Sequence, residues 1–207
     1  ALHLAISLFS QKRVLLPSLS FVSTANAVLY NNKEVVFADV DEDTLTMKYF
    51  SLDPEDTINL PVHFAGYPIN VESSEISTVI EDCAHALGAE IEGKKVGIIG
   101  DAAIFSFGRD KVISSVFGGM AIISSKFKVQ SSKLEAYQKE LECPSYFWIL
   151  QQILHPIAFS LILPLYNIYI GKLMLLIMQK LHLLSKPIYK EEISGKKPDI
   201  FPKLYPN

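Results

Sequence analysis

The sequence predicts an α/β fold of three layers, with a mostly parallel sheet covered by helices on both faces and an apolar helical segment after it. Two observations support this prediction. First, six short, continuously apolar runs alternate with segments that suit helices or loops, which is typical of strands buried on both faces of a parallel sheet. Second, residues 143–171 contain no Asp, Glu, Lys or Arg.

The predicted elements follow one another in a regular order. Residues 1–9 are apolar and predicted to be helical, and Ser23 or Thr24 could cap a helix over residues 25–30. The polar residues 124–142 also suit a helix. The third predicted strand runs into a Gly/Pro loop. The six predicted strands cover residues 13–17, 34–41, 58–68, 77–82, 102–107 and 119–125.

Composition bounds the functional classes. The chain has 207 residues, 49% of them apolar, with a mean hydropathy of +0.25. A net charge of −3 gives no reason to expect nucleic acid as a partner. Two cysteines, Cys83 and Cys143, form neither a disulfide framework nor a zinc site, so we predict no metal and a reducing cytoplasm.

Parallel α/β sheets carry their chemistry at the carboxyl ends of their strands. The residues that fall there in this sequence are Phe21, His63, Asp82, Ser106 and Lys111. Lys111 follows Asp82 by 29 residues. Such an acid and lysine can hold an electron-sink cofactor such as pyridoxal phosphate, with the acid at the pyridine nitrogen and the lysine bound covalently. Spacing alone does not single out this chemistry, because many α/β proteins end strands in Asp and Lys.

The blocks around these residues are more specific. They read P-S-L-S-F-V-S-T-A-N-A-V, F-A-D-V-D-E-D-T-L, E-D-C-A-H-A-L-G-A, G-x-x-G-D-A-A-I-F-S-F-x-x-x-K and G-G-M. Their order and separation over residues 1–125 resemble the DegT/DnrJ/StrS family of sugar aminotransferases. The resemblance implies the fold type I pyridoxal-phosphate architecture and pyridoxal 5′-phosphate as the cofactor.

The resemblance also implies roles for five side chains. Lys111 would carry the cofactor and move a proton, and Asp82 would keep the pyridine nitrogen protonated. His85, on the same side as Asp82 if a helix begins at residue 84, would lie near the phenolic oxygen. Ser106 would donate its hydroxyl to the phosphate, and Phe21 would stack on the ring. Each could instead serve only the fold, as a cap, a core residue or a solvated loop residue.

Two parts of the family pattern are not found. The Gly-Thr/Ser turn that contacts the phosphate would precede Ala1, and the small C-terminal domain is not recognisable. We therefore expect a piece of a longer protein. Its predicted parts are a pyridoxal-phosphate-binding core at 1–125, a helical, strongly apolar segment at 126–184 and a basic, extended tail at 185–207.

The charge-free stretch leaves three interpretations open. It could be a buried helical layer against a larger domain or a dimer partner. It could form helices that lie in a membrane interface, contacting the membrane through residues 144–184, because aromatic residues flank it and a basic tail follows. It is also long enough to span a bilayer, although three prolines and several polar residues argue against one straight helix.

The resemblance implies transfer of an amino group from glutamate or glutamine to a keto nucleotide-sugar, in polysaccharide or deoxysugar biosynthesis. We expect a homodimer in the cytoplasm, or at the inner face of the membrane if residues 144–184 dock there. One alternative is a sugar dehydratase of the same family, in which histidine replaces the lysine, so Lys111 favours the aminotransferase. The other is a non-catalytic, membrane-associated sensor or scaffold.

Overall fold

The computed structural model describes residues 1–48, 52–71, 78–139, 143–185, 190–196 and 198. The chain divides into two compact units, Ala1–Lys139 and Glu140–Asn207. The first unit contains all the strands, and the second is helical in its described part.

A six-stranded, mostly parallel sheet forms the first unit, as predicted. The strands run in the order β2-β1-β3-β4-β7-β8, and all neighbours are parallel except β8, which is antiparallel to β7. A small hairpin of β5 and β6 lies outside this sheet. The strands are β1 Arg13–Pro17, β2 Glu34–Ala38, β3 Thr57–Asn59, β4 Thr78–Asp82, β5 Glu90–Ile91, β6 Lys94–Lys95, β7 Ala102–Ser106 and β8 Gly119–Ile123.

Three helices belong to this unit, α1 Leu2–Ser7, α2 Val22–Tyr30 and α3 Lys128–Lys139. Helices α1 and α2 pack on one face of the sheet, in a core shared with residues such as Val14, Ile80 and Ile104. The opposite face is covered by two smaller clusters that involve turns and loops, and no α-helix in the described ranges contributes to them. In the described ranges of the first unit, helices therefore cover one face of the sheet, and helices on both faces stay a prediction.

Several element boundaries differ from the predicted ones. Helix α2 begins at Val22 with Phe21 as its N-cap and no side-chain capping bond, so Ser23 and Thr24 lie inside the helix rather than capping it. The third strand is much shorter than predicted, because Pro61 offers no N–H to a ladder, and a 3₁₀ turn follows at Phe64–Gly66.

The second unit contains α4 Tyr146–Ile162, α5 Ile170–Lys180 and the short α6 Lys190–Ile193. Helices α4 and α5 pack against each other around Ala158, Ile162 and Leu184. Across the described residues, no helix combines the length and apolar character that crossing a bilayer requires. The predicted extended tail falls largely on residues outside the described ranges, and α6 departs from it where the chain is described.

Candidate active site

The carboxylate of Asp82 lies at the carboxyl end of the interior strand β4 and is only 4% exposed. Its Oδ2 accepts a hydrogen bond from Thr24 Oγ1 at 3.1 Å, and its Oδ1 accepts one from the N–H of Ala84 at 3.1 Å. Burial raises the pKa of Asp82, against the opposing effect of these bonds and of His85. The site therefore holds a fixed carboxylate that a cationic N–H partner would stabilise.

Glu81 and Asp82 point to opposite faces of β4, because side chains alternate along a strand. Asp82 is level with Ile104, whose side chain belongs to the core under α1 and α2. Glu81 is fully buried on the other face and accepts four hydrogen bonds. The donors are His63 Nε2 at 3.1 Å and Gly97 N at 2.8 Å to Oε2, and Ile99 N at 2.9 Å and Gly100 N at 2.7 Å to Oε1.

His63 completes this buried network. Its Nδ1 accepts a hydrogen bond from the N–H of Ile69 at 3.0 Å, so we assign the ring proton to Nε2, which donates to Glu81. Burial by itself would raise the pKa of Glu81, but the bonds from His63, Gly100 and Gly97 outweigh it and lower that pKa. The network ties the 97–100 loop, which leads into β7, to the strand that carries Asp82.

His63, Glu81 and Cys83 each place one possible metal ligand within 4.8 Å of the others. Both ring nitrogens of His63 and both oxygens of Glu81 are already engaged in hydrogen bonds. Burial, together with the neighbouring carboxylates, raises the pKa of the Cys83 thiol, whereas a metal ligand must be a thiolate. The chemistry of this cluster fits a structural network better than a metal site.

Ser106 is the last residue of β7, and Lys111 lies close to it in the loop that follows. Ser106 is two residues past the level of Asp82 on the adjacent strand, so strand geometry places their Cα atoms about 8 Å apart on the same face. A methyl group on Gly108 would lie 3.7 Å from Ser106 Oγ and 3.8 Å from Lys111 Cγ. The side chain of Lys111 is 14% exposed, and its Nζ pairs with Asp110 Oδ2 at 3.2 Å.

His85 interacts electrostatically with two carboxylates. One is Asp82, and the other is Asp110, the ion-pair partner of Lys111. His85 is in a turn rather than in the first turn of a helix, which corrects the prediction. The carboxylate of Asp82 accepts the N–H of Ala84 and closes an Asx turn there.

Phe21 stands at the N-terminus of α2, three residues before Thr24, and is 49% exposed. An exposed ring at this position is available to stack on a planar group. Asp82, Ser106 and Lys111 thus lie at the ends of adjacent strands, and Phe21 joins them through the helix whose Thr24 contacts Asp82.

Sequence reasoning missed two residues of this site. Thr24 was interpreted as a cap, although a hydroxyl inside a helix that follows β1 faces the neighbouring strand ends. Glu81 has no role in the sequence-based prediction. The sequence clue to Glu81 is that this acid lies within a continuous apolar strand, since a buried carboxylate needs several hydrogen-bond donors. In the structure, Gly97 and Gly100 provide two of these donors.

A carboxylate, a histidine and a lysine lie near the carboxyl edge of a mostly parallel sheet, where α/β proteins bind their ligands. The model of the DegT/DnrJ/EryC1/StrS aminotransferase family matches residues 1–135. The chain belongs to this family.

Similar proteins agree with this assignment. The chain is 37% identical over 133 residues to GDP-perosamine synthase of Caulobacter vibrioides, covering 58% of this chain and 36% of that protein. It is 35% identical over 150 residues to UDP-4-amino-4,6-dideoxy-N-acetyl-beta-L-altrosamine transaminase of Campylobacter jejuni, covering 65% and 39%. An aminotransferase structure from Psychrobacter cryohalolentis matches with a TM-score of 0.60 and 28% identity, covering 70% and 39%. The chain spans about two fifths of the length of these relatives.

Proposed function

We propose that this chain provides the cofactor-binding core of a pyridoxal-phosphate-dependent aminotransferase that acts on a keto nucleotide-sugar. The observation that carries the proposal is the buried carboxylate of Asp82, fixed on both oxygens at the edge of the sheet where Ser106 and Lys111 also lie. Sugar aminotransferases of this family depend on pyridoxal 5′-phosphate.

The residues present fit this cofactor. Burial raises the pKa of Asp82, so its carboxylate gains most from a protonated ring nitrogen that compensates the charge. The hydroxyl of Ser106 and the stem of Lys111 lie within 3.7 and 3.8 Å of one point beside Gly108, so the two side chains border the same position. The exposed ring of Phe21 offers a stacking surface.

The cofactor, when bound, supplies an electron sink for the carbon that loses a proton. Asp82 Oδ1 and Oδ2 would hold the proton on the ring nitrogen, and Thr24 and Ala84 would keep that carboxylate oriented. Lys111 Nζ would bind the cofactor and afterwards accept and return the substrate proton. Ser106 would donate its hydroxyl to the phosphate, and His85 would stand near the phenolic oxygen.

The finer features follow from the family and remain part of the proposal. The amino donor would be glutamate or glutamine, and the product would enter polysaccharide or deoxysugar biosynthesis, as the names of the similar proteins suggest. The enzyme would work as a homodimer in the cytoplasm. Residues 1–125 would hold the cofactor, followed by the apolar segment at 126–184 and the tail at 185–207.

Absorption spectroscopy tests this function. We expect the protein to acquire the visible band of lysine-bound pyridoxal phosphate, and we expect Lys111→Ala to abolish it. Lys126→Ala, which changes an exposed lysine in the same unit, should keep it. Addition of glutamate should convert the band to that of the aminated cofactor. A protein that takes up no cofactor, or a band that survives in Lys111→Ala, would contradict the proposal.

A further inference from the structure

Helix α4 presents apolar residues outward and polar residues inward. Its outer stripe has helical spacing and consists of Tyr146, Leu150, Ile153, Ile157 and Leu161, each more than half exposed. The side chains that α4 buries include Gln152 and His155, at 6% and 5% exposure. A helix on the surface of a protein in water has the opposite pattern.

The polar groups of α4 are satisfied within the second unit. Gln151 Nε2 donates to the carbonyl of His182 at 2.7 Å, and His155 Nε2 accepts from the N–H of Ser185 at 2.9 Å. The exposed Ser160 donates its hydroxyl to the carbonyl of Ile157, inside the helix, at 2.7 Å. Apart from the hydroxyl of Tyr146, the outer face of α4 therefore has little hydrogen-bonding capacity to offer a partner.

Helix α5 packs antiparallel to α4, with Gln151 near His182, and also exposes apolar residues. Its exposed residues are Ile170, Leu173, Leu176 and Ile177, followed by Lys180 at its end. Lys172 lies over the rings of Tyr166 and Tyr169, at 5.2 and 4.5 Å from their centroids. Lysine beside tyrosine is the composition of a membrane–water boundary.

The charge of the segment has one sign. Residues 143–190 contain no Asp or Glu, whereas Lys172 and Lys180 lie on α5. We propose that the α4–α5 hairpin docks on an anionic lipid surface and lies within its interface, with the outer apolar face of both helices among the acyl chains. The 17 residues of α4 extend about 25 Å, so the helix suits an interfacial orientation.

A protein partner fits this face less well. Protein interfaces carry about one hydrogen bond per 100–200 Å² and a polar rim. The exposed side of α4 turns its amides and its histidine inward and uses its one exposed serine internally. Lipid chains require no hydrogen bonds from the surface they cover. This inference stands apart from the proposed aminotransferase activity.

Vesicle flotation measures this contact directly. We expect the protein to float with phosphatidylcholine vesicles that contain phosphatidylglycerol. Binding should weaken with salt and in Lys172→Gln/Lys180→Gln, because both reduce the attraction to anionic headgroups.

Outward substitutions provide the decisive comparison. Ile157→Glu/Leu173→Glu should lower the vesicle partition coefficient by at least about tenfold, because both side chains would have to enter the apolar layer as charges. Phe37→Glu, at an equally exposed position on β2, should leave it unchanged. Two results would overturn the proposal: a wild-type protein that does not float with anionic vesicles, or Glu substitutions that dissociate a dimer without altering vesicle binding.

Discussion

The network around Glu81 allows a sharp test of how the site is supported. Four N–H donors converge on its two carboxylate oxygens, two on each. Glu81→Gln keeps the shape but leaves one oxygen. In either orientation the new amide N–H₂ faces two N–H donors. His63 cannot become an acceptor there, because its Nδ1 already accepts the N–H of Ile69 and its ring proton is therefore on Nε2.

The expected loss follows from these contacts. Two hydrogen bonds to a charged acceptor disappear, and each contributes about 1.5–3 kcal/mol. We expect Glu81→Gln to lower the free energy of unfolding by about 3–6 kcal/mol, out of a total that for most domains is about 5–15 kcal/mol. For a chain of this size the midpoint of thermal unfolding should fall by roughly 6–24 °C.

Thermal and urea unfolding followed by circular dichroism measure this loss. Glu90→Gln is the matched control, because Glu90 forms an exposed ion pair with Lys95 on the β5–β6 hairpin and should change stability by less than about 1 kcal/mol. If Glu81→Gln unfolds within about 1 kcal/mol of the wild type, the assignment of four charge-assisted bonds is wrong.

The same group gives a pH dependence with a defined sign. The folded protein lowers the pKa of Glu81 below its ordinary value of 4.5, so the folded state binds fewer protons at this position than the unfolded state. The stability it contributes is present above about pH 4.5 and is lost as the pH falls toward the folded pKa. Glu81→Gln should lack this component of acid destabilisation, and an identical acid profile in both proteins would refute the reasoning.

Three further predictions follow from single contacts. Thr24→Ala should weaken binding of pyridoxal phosphate by tenfold or more, since about 1.5–3 kcal/mol of hydrogen bonding to the buried carboxylate of Asp82 is lost. Thr24→Ser should restore the affinity. Equal affinities of the wild type and Thr24→Ala in absorbance titrations would contradict this prediction. Gly171→Ala should lower thermal stability by about 1–3 kcal/mol, because its methyl group would overlap the backbone of α4, while Ser160→Ala should not. Iodoacetamide should label Cys143 but spare Cys83 until the protein unfolds, since burial raises the pKa of the Cys83 thiol; rapid native labelling of Cys83 by mass spectrometry would exclude this burial.

The sheet could be predicted because its strands are continuous apolar runs, and such runs place their ends at one edge. Asp82, Ser106 and Lys111 were located in this way, from strand ends alone. The roles assigned to these residues stay predictions. The layer over the second face was predicted as helical, but Met47, Ile69 and Val96 cover it from turns and loops, whose apolar residues have no period to detect.

Other features depend on contacts between distant segments. The hydroxyl of Thr24 is drawn to Asp82, 58 positions along the chain, and a local capping rule cannot anticipate that bond. The turn at His85 follows an Asx turn in which Asp82 accepts the N–H of Ala84, and the chain does not continue from it into a helix. In the second unit, composition suggested apolar helices, but only the structure shows that Gln152 and His155 face inward.

Because side chains alternate on β4, Asp82 and Glu81 lie in different surroundings, and substitutions of the two should have different effects on folding and on catalysis. Neutralising Asp82 relieves a charge that burial disfavours, so such a variant should fold normally and be catalytically silent. Neutralising Glu81 removes a charge that the fold actively stabilises, so that variant should be scarce in the cell whatever its chemistry. A mutational survey of this family that records both abundance and turnover should therefore find that variants of Asp82 are abundant but inactive, whereas variants of Glu81 are scarce.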